Sequence, residues 1–395
     1  MDRRFGLRGM TVALLFASLL PAASTAWAED AGRAAGSAIK SALQPFIESH
    51  SLAGAVTLVA DKNEVLSLEA VGYADIAGGK AMPTDALFWI ASQSKPVTAT
   101  ALMMLVDEGK VKLDDPVQKY LPEFHDTWLA VEQDKDHILL KRPDHPITVR
   151  EILSHTSGLP FKSAIEDPTL DLLTLRVGAK SYAMTPLLFA PGTKYQYSNA
   201  GINTAGRIIE VVSGMPYEDF LDKRLFQPLG MKDTTFWPNE EQLTRLAKSY
   251  RPNSSKTDLE EIKIGQLKYP LNDRSRQPMP AGGLFSTAAD IARFCQMVLN
   301  RGEFKGKRYL SEASVAEMTK RQTHASLKDS YGLGWATGGR SWGHGGAQAT
   351  NMTIESDRGL IFVWMVQAAG FPGNGDKSQG AFRKAADEQF PGARK

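Results

Sequence analysis

The stretch Phe88–Leu105, "FWIASQSKPVTATALMML", decides how this chain is read. Ser92 is followed three residues later by Lys95, and Leu102, Leu105 and Val106 recur at helical spacing until Gly109. The run therefore predicts an apolar helix that opens at the serine. Positions three apart share one helix face, so the lysine amine can reach the serine hydroxyl. That matters because a serine oxygen is a poor nucleophile until a neighbouring base accepts its proton. The spacing is weak evidence by itself. Ser37 and Lys40 repeat it in an amphipathic helix, where a chance surface pair is the better account.

Residues 1–28 read as an export leader, outside the fold. Arg3, Arg4 and Arg8 flank the start of the apolar run "MTVALLFASLLPAA", and "AWA" before Glu29 has the small-x-small form of a cleavage site. The apolar run is too short to span a bilayer. A bacterial periplasmic or secreted location without a stable membrane anchor is expected. Loss of three arginines and Asp2 takes the formal net charge from +2 to zero, so a nucleic-acid partner has no electrostatic support. Cys295 is the only cysteine, on a helical face with Ile291, Phe294, Val298 and Leu299. It reads as a buried small hydrophobe. The seven histidines are scattered without metal-ligand spacing, and no phosphate-binding or dinucleotide glycine motif occurs. No metal and no cofactor are expected. His125, His137 and His145 read as solvated.

Along the chain, "AGSAIKSALQPFIESH" predicts a helix, and "AGAVTLVADKNEVLSLEAVGYADI" predicts two strands joined by a turn at Asp61–Asn63. From about 100 to 275 helical patterns and long loops dominate, with "ITVREILSHTSGL" and "AGRIIEVVSG" as the clearest helices. A helix over 281–300 follows, then the strands "YGLGWAT", "QATNMTIES" and "LIFVWMVQA", and a final helix "GAFRKAADEQF". Strands at both chain ends imply an α+β fold: an antiparallel sheet built from the two ends with flanking helices, and an inserted all-helical lobe. Residues 29–395 are then one domain, with a sheet-bearing lobe at about 29–100 and 275–395, a helical lobe between, and a site where they meet.

Two motifs compete for the nucleophile. "GRSWG", Gly339–Gly343, matches the G-x-S-x-G elbow of another hydrolase fold. That elbow needs a strand–turn–helix setting and a histidine well downstream, whereas His344 is next but one after the tryptophan and the following residues are glycine-rich and strand-like. Ser92–Lys95 has better company. "YQYSNAG" supplies Tyr197 and Asn199 as a Y-x-N motif, and "WGHGGAQATNMTI" places His344, Gly345 and Gly346 before a C-terminal strand.

In this order the three motifs resemble those of the penicillin-recognising serine hydrolases, in the class C β-lactamase-like branch. That branch includes secreted D-alanyl-D-alanine peptidases, class C β-lactamases and β-lactamase-like carboxylesterases. "SHTSGLP", "APGTKYQYSN" and "PAGGLFSTAADIARF" extend the likeness over nearly the whole mature chain. The resemblance implies the β-lactamase/transpeptidase-like fold and an acyl-enzyme on Ser92. Lys95 and Tyr197 would share the proton shuttle, with Lys95 neutralised by desolvation and nearby positive charge. Asn199 would contact a substrate amide and brace Lys95. His344, Gly345 and Gly346 would line the substrate strand, the glycines allowing close approach. The N–H groups of Ser92 and Ala347 would form the oxyanion hole. Histidine at position 344, where class C β-lactamases usually have lysine, makes a substrate carboxylate harder to hold. Expected substrates are therefore esters or small D-amino-acid amides. β-Lactams or cell-wall D-alanyl peptides are the alternative, and a non-catalytic binding role ranks last.

Overall fold

The computed structural model describes residues 38–392. The leader read over 1–28 and Ser37 of the discounted pair lie outside the described residues. The main sheet takes β1 (Gly54–Asp61), β2 (Val65–Asp75) and β3 (Lys80–Ala81) from one end of the chain. The other end supplies β4 (Ala336–Gly338), β5 (Ser341–Gly345), β6 (Asn351–Glu355) and β7 (Leu360–Met365). The order is β4-β5-β6-β7-β1-β2-β3, with antiparallel neighbours throughout. The two ends of the chain thus join where β1 lies on β7, with Val56 opposite Met365 and Ala60 opposite Ile361.

Both central strands are buried on two faces. Val56, Leu58, Ala60, Ile361, Val363 and Met365 enter one core, while Ala55, Val59, Leu360, Phe362 and Trp364 enter the other. That double burial gives a nearly continuous apolar run in place of polar alternation. Helix α1 (residues 38–48) and α5 (Ser378–Gln389) cover the second face through Ile39, Leu43, Phe382 and Ala386. On the first face lie α2 (Ser94–Asp107) and α4 (Ala288–Leu299), and α3 (Asn199–Ser213) joins the same core. Every residue of α2 from Ser94 to Leu105 is buried, the polar Ser94, Lys95, Thr98 and Thr100 included. Helix α3 is capped by the Ser198 hydroxyl, which accepts the Gly201 N–H at 3.0 Å.

Several expected elements come out shorter. The helix read over 147–159 spans only Val149–Leu153. Ser154 Oγ bonds back to the Arg150 carbonyl at 2.9 Å and His155 turns to φ +61, which takes the chain out of the helix. The run at 281–287 pairs Phe285–Ser286 with Phe88–Trp89 as a small two-stranded ladder, and α4 starts only after the Thr287 cap. Of "YGLGWAT", only Ala336 and Thr337 enter β4. The central part, expected to be all-helical, also holds two hairpins: Leu129–Gln133 with Ile138–Lys141, and Ser249–Pro252 with Leu259–Ile262. Ile138 and Leu139 are 50% and 55% exposed, so the first hairpin has no core-facing alternation for a sequence reading to find.

Cys295 is buried against Met352, Sγ to Sδ 3.6 Å. His125 and His137 are exposed, and His145 half so. Gly339 turns the chain between β4 and β5, so Ser341 of the discounted G-x-S-x-G match sits in a hairpin with no helix after it.

Candidate active site

Ser92 occupies a single 3₁₀ turn, Ala91–Gln93, that runs directly into α2. Ala91 is held at φ +45, a conformation that costs a non-glycine residue about 1–3 kcal/mol and persists only where its surroundings enforce it. Here they do. Ser94 Oγ donates to the Ala91 carbonyl at 2.7 Å, the Ile90 N–H donates to Leu284 O at 3.0 Å, and the Trp89 indole donates to Gly282 O at 2.7 Å. The result leaves Ser92 half-buried between fully buried neighbours.

Lys95 is wholly buried. Its Nζ lies 2.8 Å from Asn199 Oδ1, 2.7 Å from the Ala281 carbonyl and 3.1 Å from Ser92 Oγ. Among the described residues no carboxylate pairs with it. Burial pushes the amine well below the usual lysine range. Burial is the whole cause: the positive charge expected to assist it is missing, because the neighbouring imidazoles are neutral. A neutral amine has two N–H groups and one lone pair. The two carbonyl oxygens take the N–H groups, which leaves the lone pair facing the Ser92 hydroxyl.

Tyr197 stands just before α3, its ring centroid 4.5 Å from Lys95 Nζ. Burial raises its phenol above the ordinary tyrosine range, while the Ser92 hydroxyl, close enough to interact, pulls the other way. Asn199 is the first residue of α3, where the Ser198 cap fixes its direction. His344 lies on β5 with both ring nitrogens engaged: Nδ1 is 2.7 Å from the Gly345 carbonyl and Nε2 is 2.9 Å from the Tyr331 hydroxyl. The carbonyl can only accept, so Nδ1 donates and Nε2 accepts the phenol proton. The ring is neutral, in keeping with burial pushing its pKa down to about 3.

Of the two glycines after His344, Gly346 has a clear steric reason. A Cβ there would fall 2.5 Å from the Ile90 carbonyl, so glycine lets this turn press against the Ser92 turn. At Gly345 a Cβ would meet only ordinary contacts at 3.6 Å. Ala347 is exposed in the turn that Gly346 N–H closes onto Thr350 O at 2.8 Å. The structure therefore gathers Ser92, Lys95 and Asn199 into one hydrogen-bonded cluster, with the Tyr197 ring packed against Lys95 and His344 beside it, its ring centroid 6.1 Å from that of Tyr197. Three participants were missed. The Ala281 carbonyl is a backbone atom with no side-chain signature. Tyr331 carries no motif. His155 stood within "SHTSGLP", a stretch singled out without a role. Among the described residues no group of His, Cys, Asp or Glu could hold a metal.

Comparison with known proteins bears on this geometry. The Beta-lactamase family model matches residues 39–385. Esterase EstB of Burkholderia gladioli is 29% identical over 328 residues, covering 76% of each chain. A putative D-alanyl-D-alanine carboxypeptidase of Salmonella agona is 28% identical over 314 residues, covering 72% of this chain and 68% of that one. Among solved structures, EstCE1, a hydrolase with promiscuous acyltransferase activity, superposes with a TM-score of 0.74 at 24% identity, over 90% of this chain and 99% of that one. The expected fold and likeness hold: the chain belongs to the beta-lactamase family of hydrolases, whose members related to it include esterases, penicillin-binding proteins and carboxypeptidases.

Proposed function

We propose that the protein is an exported serine acyl hydrolase that works through an acyl-enzyme on Ser92, acting on esters or small neutral D-amino-acid amides. The observation that carries this reading is the Lys95 amine, which spends two contacts on carbonyl oxygens and has its third, at 3.1 Å, on Ser92 Oγ. Lys95 accepts the hydroxyl proton as Oγ attacks the acyl carbon. The oxyanion forms against the N–H groups of Ser92 and Ala347. Tyr197, kept as a neutral phenol by burial, donates to the leaving oxygen and is reprotonated from Lys95. Water then enters by the same route in reverse roles: its proton passes through Tyr197 to Lys95 as its oxygen attacks the acyl carbon, and Lys95 returns that proton to Ser92 Oγ as the acyl–oxygen bond breaks. Asn199 braces Lys95 and faces the substrate carbonyl region.

Neutral substrates are favoured because His344 has no charge and no free ring nitrogen with which to hold a carboxylate. Phe161, 44% exposed and stacked 6.4 Å from the Tyr197 ring, adds an apolar wall. The test is a side-by-side assay of a p-nitrophenyl acetate or butyrate ester, a chromogenic cephalosporin and a D-alanyl-D-alanine peptide. Ester turnover should lead, and Ser92→Ala should abolish it while the protein stays folded. Retained turnover in that variant removes Ser92 as nucleophile; dominance of the cephalosporin or the peptide reverses the substrate ranking. Export is checked by sequencing the N-terminus of protein recovered outside the cytoplasm.

A further inference from the structure

Resting on the reading of Ser92 and Tyr197 above, we propose that His155 is a positioning residue that grips the chain on both sides of Tyr197 and sets its phenol for proton transfer. His155 follows the short helix Val149–Leu153 at φ +61, a left-handed conformation that few residues other than glycine adopt, with asparagine, aspartate and histidine the commonest of them. That turn brings its carbonyl and its ring to the same stretch of chain. The carbonyl accepts the Gln196 N–H at 2.9 Å. Ring Nδ1 accepts the Ser198 N–H at 3.1 Å. Tyr197 lies between those two anchors.

The imidazole also packs on the ring it positions. Its centroid is 4.5 Å from that of Tyr197, tilted by 42°, and 4.6 Å from that of Tyr331, the residue bonded to His344. Because Nδ1 accepts a backbone N–H, the proton of the neutral ring sits on Nε2. Nε2 is buried and has no hydrogen-bond partner, and the residue is 1% exposed, so the ring has no path to a substrate. Its influence on the reaction runs through Tyr197. Burial holds the imidazole well below its usual pKa, which keeps Nδ1 an acceptor at neutral pH.

The clamp makes a prediction that simple packing does not. Asparagine tolerates the left-handed conformation, and its Oδ1 can take the place of Nδ1 as acceptor for Ser198. The experiment compares ester hydrolysis, and labelling of Ser92 by a fluorophosphonate, in His155→Ala, His155→Asn, Tyr197→Phe and the double variant His155→Ala/Tyr197→Phe. His155→Ala should lose about 10- to 100-fold in kcat, with KM changed by less than about threefold, the scale expected for a misplaced catalytic group. His155→Asn should stay within about threefold of the wild type in kcat, and the double variant should be no slower than Tyr197→Phe alone. Three results overturn the clamp: wild-type rates in His155→Ala, an asparagine variant that is inactive or fails to fold, or a double variant clearly slower than Tyr197→Phe. If His155→Ala does not fold, the asparagine variant decides alone. Failure of the underlying reading is seen separately, as turnover or labelling that survives Ser92→Ala.

Discussion

Among the described residues two lysine or arginine side chains, Arg276 and Lys95, lie fully buried, and their surroundings are opposite. Arg276, 2% exposed, bonds Asp171 Oδ2 through Nε at 2.7 Å, and its Nη1 donates to the carbonyls of Phe236 and Leu271. Asp171 in turn accepts the Lys268 N–H at 3.0 Å. A charge is taken out of water here and matched by a counter-ion and by hydrogen bonds. Lys95 is buried at least as deeply but meets only neutral oxygens. Without a carboxylate the ammonium is the costly form, and the amine that remains is a base. The lesson is that a buried charge with a partner is kept, whereas a buried amine without one is driven toward its neutral form.

That contrast can be broken in order of expected effect. Lys95→Met keeps the stem and removes the base, so ester kcat/KM should fall by about 10³–10⁴-fold, at the upper end for a lost proton-transfer group; a loss under tenfold would remove Lys95 from the role. Arg276→Met should instead cost about 3–5 kcal/mol of stability, because Asp171 is left buried and unpaired, while kcat per folded molecule stays within about twofold. Urea midpoints together with kcat separate the two cases. Should Arg276→Met cost activity but no stability, the division between the two cations fails.

A subtler effect follows from protonation. The folded pKa of Lys95 is below that of the unfolded chain, so between the two values the unfolded chain holds the extra proton and stability rises with pH. Lys95→Met should flatten that slope on the alkaline side, measured as unfolding free energy against pH. Wild-type ester activity, likewise, should reach its plateau below the ordinary lysine value of 10.5. The smallest effect is expected at Phe161. Loss of its partly exposed ring in Phe161→Ala should raise KM for aromatic or long-chain acyl esters by about three- to tenfold, on the scale of modest apolar burial, and leave the acetate ester unchanged.

Much of the site could be read locally. Ser92 and Lys95 share a helix face by spacing, and Tyr197 and Asn199 stand two apart at a helix start. The run from Ala101 to Leu105 is uninterruptedly apolar because α2 is buried on all sides there. The sheet was legible because β1 and β7 are rich in buried valine, leucine, isoleucine and phenylalanine. The strand Ile138–Lys141 was not, since its side chains are exposed and follow no core-facing period. His344 was visible as a motif residue, yet its neutral state depends on Tyr331 and on burial.

From the sequence alone came the order of the motifs, the pairing of serine with lysine and the two-ended sheet, because each follows from spacing and periodicity along a short stretch of chain. Only the tertiary structure decided that burial without a counter-ion holds the Lys95 amine well below its usual range, that a backbone carbonyl at Ala281 helps to aim it, and that His155 brackets Tyr197. The partners in the first case are 104 and 186 residues away from Lys95. An ionisation state is set by what surrounds a group once those distant segments have expelled the water around it.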